Sequence, residues 1–289
     1  MAEPSRGFFT IAQGVQYQRL AYALALSLLG TQSKVKRLSI GVTAREKKSL
    51  PGKYREVFDK VVTIPWKDHA AKSSWKLENE WKVIHMTPYD ETIKLDADML
   101  FPADISAWWD SLALSEGVFT TQVRTYRGHV ATSDYYRRTF TESQLPNVYT
   151  ALFYFKKSPV NYELFSLAEF IFNNWERCFY EWLEPEHRPK YVSTDVVFAL
   201  AAKVLDYPAL NQLPGAEVPT FVHMKSHLQD WPVDRFMIED WTRLVPVHLN
   251  RRCELKVGNY LQRLPFHYHV KHFLTDEMIE RLERRVGLC

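Results

Sequence analysis

Short apolar runs alternate with helical patterns through the first hundred residues, and this alternation is the strongest constraint on the fold. Runs with the length of a buried strand are separated by segments whose apolar residues recur at helical spacing. The strands are expected at 8–12, 38–42, 61–64 and 92–95, and the clearest helices at 17–28 and 75–86. Alternation of this kind is typical of an α/β protein with a mainly parallel central sheet flanked by helices.

The second part of the chain combines further strands with longer helices. The predicted elements are strands at 118–123 and 148–155, and helices at 162–182 and from 194 onward. The segment 124–146 is polar, aromatic and basic without a clear period, and we interpret it as a long loop or lid. The last helix is expected to begin after Thr275, a suitable N-cap, and to end near Gly287.

The composition is that of an ordinary globular protein. Of 289 residues, 46% are hydrophobic and 25% are charged, which excludes a disordered or low-complexity chain. The 37 Lys and Arg residues exceed the 34 Asp and Glu residues only slightly, so the net charge of +3 does not by itself indicate a nucleic-acid partner. Three scattered cysteines without CxxC spacing indicate a reducing compartment. The apolar run 20–29 is too short to span a bilayer and no signal peptide is evident, so we expect a cytoplasmic protein with no membrane partner.

The segment Thr92-Ile-Lys-Leu-Asp96-Ala-Asp98 carries the strongest chemical signal. Asp96 and Asp98 follow a hydrophobic strand at positions i and i+2, so both carboxylates face the same side if the strand conformation persists. They lie at the carboxyl end of a strand, where open α/β sheets bind ligands. A carboxylate pair there can bind a hard divalent cation, and that cation can bridge the oxygens of a diphosphate. The alternative is that both are surface residues of a strand-ending turn.

Several segments of the chain together resemble a known enzyme family. They are Phe9-Thr-Ile-Ala-Gln13, Trp75-Lys-Leu with Trp81, Lys94-Leu-Asp-Ala-Asp98, Tyr149-Thr-Ala-Leu-Phe-Tyr-Phe155, Ser193-Thr-Asp195 and Val222-His-Met-Lys225. Their order resembles that of GT-A fold glycosyltransferases of the glycogenin-like type, family 8. The blocks 75–81 and 91–98 are more narrowly similar to glycosyltransferases of tailed phages, some of which are thought to decorate hydroxymethylated bases in phage DNA.

The resemblance covers roughly residues 8–231 and implies a mixed, mainly parallel, Rossmann-like GT-A sheet. We therefore predict a nucleotide-sugar-binding and catalytic domain at 1–235, with a C-terminal helical extension at 236–289 packed on it. The implied activity is transfer of a hexose or a pentose from a nucleotide sugar, most simply a UDP-sugar, to a hydroxyl group. The implied cofactor is Mn²⁺ or Mg²⁺. A phage-encoded chain of this kind would act in the host cytoplasm.

The resemblance also assigns residues to the metal ion and to the reaction. Asp96 and Asp98 would hold the metal, with His223 as the third ligand; the alternative for His223 is a buried core histidine. Asp195 would orient a sugar hydroxyl or the acceptor, or it is simply an acidic residue at a helix N-terminus. Lys76 would reach the sugar or a phosphate, or it is a solvated helix lysine.

Residues expected to bind the nucleotide sugar are implied in the same way. They are Thr10, Ala12, Gln13, Tyr17, Lys76, Asp96, Ala97 and Lys225. The ring of Tyr17 can stack on a uracil, although packing in the first turn of a helix explains it equally well. Lys225 is expected near a phosphate, but here Met224-Lys225 directly follows the histidine, whereas the family has a Gly followed by Lys-Pro-Trp.

Cations alternate with aromatic residues in two parts of the chain, which favours a nucleic-acid acceptor. The candidate contacts are Arg124, Arg127, Tyr135, Tyr136, Arg137, Arg138 and Trp231. Cations suit phosphates and aromatic rings suit an unstacked base, so the preferred acceptor is 5-hydroxymethylcytosine or a related base in duplex phage DNA. The histidines of 267–272 are either a metal cluster or, as their alternation with aromatics favours, one face of a strand. The alternatives are a glycan, protein or small-molecule acceptor, and a non-catalytic nucleic-acid-binding protein of the same fold.

Overall fold

The computed structural model describes residues 3–71, 76–131, 137–207, 218–225, 241–243, 245–250, 252 and 254–288. The strands are β1 (Arg6–Ile11), β2 (Leu38–Val42), β3 (Val61–Thr63), β4 (Glu91–Leu95), β5 (Met99–Leu100), β6 (Gly117–Thr120), β7 (Tyr149–Lys156), β8 (Val222–His223), β9 (Val247–Leu249), β10 (Leu255–Val257), β11 (Tyr260–Leu261) and β12 (Phe266–His267). The helices are α1 (Val15–Thr31), α2 (Ala44–Ser49), α3 (Gly52–Arg55), α4 (Val83–Met86), α5 (Trp108–Leu112), α6 (Arg138–Glu142), α7 (Pro159–Asn173), α8 (Trp175–Trp182), α9 (Thr194–Val204) and α10 (Asp276–Val286).

The central sheet has the strand order β3-β2-β1-β4-β7-β6. Strands β1 to β4 run parallel, whereas β7 lies antiparallel between β4 and β6. Phe9 of β1 is in register with Lys94 of β4, and Leu95 of β4 with Leu152 of β7. The carboxyl ends of β1 and β4 therefore lie side by side at one edge of the sheet, where the residues that follow them can meet.

Helices cover both faces of this sheet. The strands β2 and β4 are buried along their whole length, as expected of strands inside a largely parallel sheet. Helix α1 packs on one face through Leu20, Leu24 and Leu28, which recur at helical spacing and have no exposed surface. Helices α7 and α9 cover the other face, where the rings of Phe153 and Phe198 lie 5.7 Å apart.

The C-terminal region contributes two small sheets as well as the predicted helix. Strands β9, β10 and β11 form an antiparallel sheet, and β12 pairs antiparallel with β5 and parallel with β8. Helix α10 packs along α1, and the Thr275 hydroxyl accepts a hydrogen bond from the Met278 amide at 3.2 Å. The predicted domain boundary at residue 235 lies outside the described residues and stays a prediction. Strand β12, from beyond it, pairs with β5 and β8, from before it.

Most predicted elements are confirmed within one to three residues, and three segments differ. The helix predicted at 162–182 is two helices, because Asn174 leaves the helical conformation between α7 and α8 with φ −128° and ψ 25°. The helix predicted at 75–86 is a 3₁₀ turn at Glu80–Lys82 followed by the short α4. The predicted loop at 124–146 contains α6. None of the helices in the described ranges is both long and apolar enough to cross a membrane.

Candidate functional site

The two aspartates predicted from the sequence lie directly after β4, at the carboxyl end of this interior strand of the central sheet. The amide of Asp96 donates to the Ala151 carbonyl of β7 at 2.8 Å, which extends the strand pairing one residue beyond β4. This bond fixes the point at which the chain leaves the sheet. Asp96 is partly exposed, whereas Asp98 is buried. The pair therefore reaches from the protein interior to its surface.

A histidine from the C-terminal region faces both carboxylates. His267 Nε2 lies 3.3 Å from Asp98 Oδ1 and 3.9 Å from Asp96 Oδ2. The ammonium of Lys271 contacts the other oxygen of Asp98. Burial alone would raise the pKa of Asp98, but His267 and Lys271 beside it hold that pKa well below its usual range. A negative charge is therefore kept at a position that is almost closed to water.

His223, the histidine that the resemblance assigns to the metal, lies beside His267 on the neighbouring strand. The two rings are stacked with centroids 4.8 Å apart and an interplanar angle of 14°. Burial, together with His267, lowers the pKa of His223 well below its ordinary value, so its ring is neutral. Among the described residues, the buried Nδ1 atoms of both histidines have no hydrogen-bond partner. The structure thus adds His267 to the candidate ligands and places His223 against its ring.

The donor set at this position fits a divalent metal ion. Asp96, Asp98 and His267 each offer one ligand atom, and these atoms lie within 4.8 Å of one another. Carboxylate oxygens suit Mg²⁺ and Mn²⁺, and an imidazole nitrogen suits the transition metals. The mixed set of two oxygens and one nitrogen therefore fits a divalent metal ion.

A buried lysine lies beneath the first aspartate. The ammonium of Lys94 is 2.7 Å from Asp96 Oδ1 and 2.7 Å from Glu80 Oε2, and it donates to the Thr150 carbonyl at 3.0 Å. Burial alone would lower the pKa of Lys94, but Asp96 and Glu80 raise it above its ordinary value. Lys94 is therefore a permanent positive charge inside the sheet.

Asp96 lines a cleft with a volume of about 560 Å³. Six residues predicted from the sequence line it, namely Asp96, Arg137, Arg138, Asp195, His223 and Lys225. Arg188 adds a further cation and Glu186 a further carboxylate. Leaving the histidines aside, the lining carries four cations and three carboxylates. This excess of positive charge suits an anionic group such as a diphosphate.

Asp195 is held at the cleft wall by three hydrogen bonds. It lies in the first turn of α9, and its Oδ1 accepts from the amide and the hydroxyl of Thr150 at 2.9 and 2.7 Å. Its Oδ2 lies 3.1 Å from Arg137 Nη1. The Arg137 guanidinium is itself sandwiched between rings, 3.5 Å from the centroid of Tyr149 and 4.4 Å from that of Phe140. The carboxylate is thereby given one orientation before any ligand binds.

The residues assigned to the nucleoside lie at the end of β1, next to β4. Thr10, Ala12 and Gln13 are all buried, and Gln13 bonds to the side chains of Asp68 and Asn79 at 3.0 and 2.8 Å. The half-buried ring of Tyr17, one turn into α1, lies under the ammonium of Lys271, which is 5.2 Å from the ring centroid. Lys271 thus joins the Tyr17 ring to Asp98. Ala97 is buried between the two aspartates.

The remaining predicted residues are not among those that line the cleft, or they lie outside the described ranges. The ammonium of Lys76 donates to the Ala70 carbonyl at 2.7 Å, while the next residue, Leu77, lines the cleft. Arg124 pairs with Val222 through its backbone. The guanidinium of Arg127 stacks on Tyr126, 5.6 Å from its ring centroid. Tyr135, Tyr136 and Trp231 lie outside the described residues.

Sequence reasoning missed Lys94 and Lys271, and for the histidines of 267–272 it favoured one face of a strand over a metal cluster. Lys271 and the ligand role of His267 depend on the pairing of β12 with β5 and β8, strands that lie far away in the sequence. No local pattern reveals that pairing. Lys94 offered a usable signal, because a lysine at a central position of a fully buried strand requires an acidic partner nearby. Its position two residues before Asp96 indicates one such partner.

The sequence matches no protein-family model and no curated protein. By structure, the chain is similar to the galactosyltransferase LgtC, solved in complex with donor and acceptor sugar analogues. The sequences are 14% identical, the match covers 97% of this chain and 95% of LgtC, and the TM-score is 0.50. A second match, mouse xyloside xylosyltransferase 1, is 12% identical over 91% of this chain and 98% of its own, with a TM-score of 0.48. The match to LgtC shows that the chain has the GT-A glycosyltransferase fold that the sequence predicts.

Proposed function

We propose that the chain is a metal-dependent glycosyltransferase that moves a sugar from a nucleotide sugar, here a UDP-sugar, to a hydroxyl group. The observation that carries the proposal is the group formed by Asp96, Asp98 and His267, because it lies at the edge where open α/β sheets bind ligands. A bound Mn²⁺ or Mg²⁺ would offset the negative charge on the departing nucleotide diphosphate. The fold shared with a galactosyltransferase supports this assignment.

The donor would lie across the carboxyl ends of β1 and β4. Lys271 contacts Asp98, and Lys225 lines the same cleft as Asp96, so both cations are proposed to bind the diphosphate. The buried residues at the end of β1, with Ala97, stay the proposed nucleoside and donor contacts, and the ring of Tyr17 is the proposed platform for the base. Lys76, whose ammonium donates to the Ala70 carbonyl, stays a proposed donor contact through its two other hydrogens.

Asp195 is the residue we propose for orienting the sugar or the reacting hydroxyl. Its carboxylate lines the same cleft as Asp96, and Thr150 and Arg137 hold it in one orientation. A carboxylate that is fixed in this way can accept a hydrogen bond from a hydroxyl without first losing rotamer freedom. Its contribution would therefore be to position the reacting groups.

For the acceptor, we propose a hydroxymethylated base in DNA, 5-hydroxymethylcytosine or a related base. The cations Arg137, Arg138 and Arg188 on the cleft wall suit the phosphates of such an acceptor. An enzyme that modifies a base in a duplex must first extrude that base, at a cost of a few kcal/mol. A glycan acceptor is the second candidate, because the galactosyltransferase with the same fold was solved with an acceptor sugar analogue.

The experiment is a transfer assay with Mn²⁺ and a panel of UDP-sugars. Each donor is offered with duplex DNA that contains 5-hydroxymethylcytosine, with the same duplex containing cytosine, and with short glycans. We expect UDP release and a matching mass gain on the modified base. Mass gain on a glycan alone would keep the enzyme class and reject the DNA acceptor.

The variant Asp98→Asn tests the metal group in the same assay. It keeps the size of the side chain but removes the charge, so UDP release should fall at least about 100-fold if the metal is lost. Asp206→Asn is the matched control, since Asp206 is exposed and has a positive φ of 46°, which asparagine adopts readily. Equal UDP release by wild type and Asp98→Asn, or no release by the wild type with any donor, would contradict the proposed function.

A further inference from the structure

The buried ammonium of Lys94 has a complete set of partners. It contacts Asp96 Oδ1 and Glu80 Oε2 at 2.7 Å each and the Thr150 carbonyl at 3.0 Å. An ammonium has three hydrogens to donate, so each is used once. The side chain of Lys94 is 1% exposed and that of Glu80 is 6% exposed, so water does not compete for these bonds. Lys94 is therefore fixed in place by the fold.

The contact with Lys94 makes the two oxygens of Asp96 unequal. Oδ1 accepts the charged hydrogen bond from the ammonium, whereas Oδ2 faces His267 Nε2 at 3.9 Å. Rotation of the carboxylate would break the bond to Lys94 and leave a buried cation short of one partner. Asp96 is therefore held with a single oxygen, Oδ2, directed toward His267.

Thr150 links the same lysine to the opposite side of the cleft. Its carbonyl accepts from Lys94, while its amide and hydroxyl donate to Asp195 Oδ1 at 2.9 and 2.7 Å. One residue of β7 thus joins the cation beneath Asp96 to the carboxylate in the first turn of α9. The distance between the two carboxylates is set by the backbone of a buried strand, which is more rigid than a loop.

We propose that Lys94 is a positioning residue that holds Asp96 so that only Oδ2 is presented to a metal ion. The inference rests on the proposed function, because it concerns the metal site of that reaction. Residues that hold a metal ligand from behind typically change metal affinity by about 10–100-fold when they are replaced. The effect should appear in binding of the metal alone, without donor or acceptor.

The test replaces Lys94 together with its other partner, in the variant Glu80→Met/Lys94→Met. Removing both charges avoids a lone buried charge, and well-packed apolar residues often replace a buried ion pair without loss of stability. The matched control is Arg6→Met/Glu91→Met, which removes an ion pair of 2.8 Å at the opposite end of the same strand. Mn²⁺ binding to each protein is followed by the electron paramagnetic resonance signal of free Mn²⁺, and folding by the melting temperature.

We expect the Lys94 variant to bind Mn²⁺ about 10–100-fold more weakly than wild type, and the control to bind within about twofold. Wild-type affinity in the folded Lys94 variant would overturn the inference and leave the proposed function standing. No Mn²⁺ binding by the wild type would overturn the metal site on which both rest.

If the double variant does not fold, a crystal structure of the wild type with Mn²⁺ tests the inference instead. The ion bound to Asp96 Oδ2, with Lys94 retained on Oδ1, supports the inference. The ion bound to Oδ1, or to both oxygens, overturns it.

Discussion

Replacing Arg137 by methionine removes a buried cation from the cleft while keeping a side chain of similar length. The guanidinium carbon lies 3.5 Å from the ring centroid of Tyr149 and 4.4 Å from that of Phe140, and Nη1 is 3.1 Å from Asp195. Loss of one partner from a buried ion pair costs about 3–5 kcal/mol. Asp195 keeps its two bonds from Thr150, so we expect the lower end, about 3 kcal/mol. For a chain of this size that is a fall in Tm of about 6–12 °C.

The measurement is thermal unfolding followed by circular dichroism, with Arg138→Met as the matched control. Arg138 is the next residue but is exposed, so its replacement should change the free energy of unfolding by less than about 0.5 kcal/mol. The Tm of Arg137→Lys should lie between those of the other two variants, because lysine keeps the charge and loses the planar group that stacks on the rings. Equal Tm values for Arg137→Met and Arg138→Met would refute the reasoning.

Two further predictions concern stability. Gly7→Ala places a methyl carbon less than 3.0 Å from three ring carbons of Tyr89. The free energy of unfolding, measured in urea, should therefore fall by about 3 kcal/mol. Gly52→Ala, with nothing within 4 Å of the new carbon, is its control, and equal stability of the two variants would contradict the clash. Thr275→Ala removes the hydroxyl that accepts from the Met278 amide, and the free energy of unfolding should fall by about 1 kcal/mol in the same measurement. An unchanged free energy of unfolding would show that the cap adds no stability.

Most strands of the sheet were predictable because they are short, largely apolar runs, and β2, for instance, is buried along its whole length, whereas β3 is only partly buried. The run at 92–95, for example, is β4 of the structure, extended by one residue. Helix ends were less predictable where side chains compete with the helix. Asn79 precedes a 3₁₀ turn, and its side-chain amide bonds to Gln13 and to Asp68 at 2.8 and 2.7 Å. Such long-range bonds are invisible in the helical period of the segment.

Within the group formed by Asp96, Asp98 and His267, residue spacing alone predicts only the part that is local in sequence. Asp96 and Asp98 are two residues apart on one strand end, so their proximity follows from strand geometry alone. His267 comes from a two-residue strand whose partners lie in other parts of the chain. His223 and His267 are side by side, and which of them faces the carboxylates depends on that pairing. The family pattern assigns His223, on the neighbouring strand, and that role stays a prediction.

The pairing of β12 with β5 has a consequence for synthesis of the protein. His267 and Lys271 follow Asp98 by 169 and 173 residues, and the sheet β3-β2-β1-β4-β7-β6 is complete in sequence before either is made. At about 5–20 residues per second, a ribosome needs roughly 10–30 s to extend the chain from Asp98 to His267. During that interval the nascent chain carries the aspartates without the imidazole and ammonium that face them later. The group of residues proposed to hold the metal is therefore completed late in translation, after the central sheet has been made.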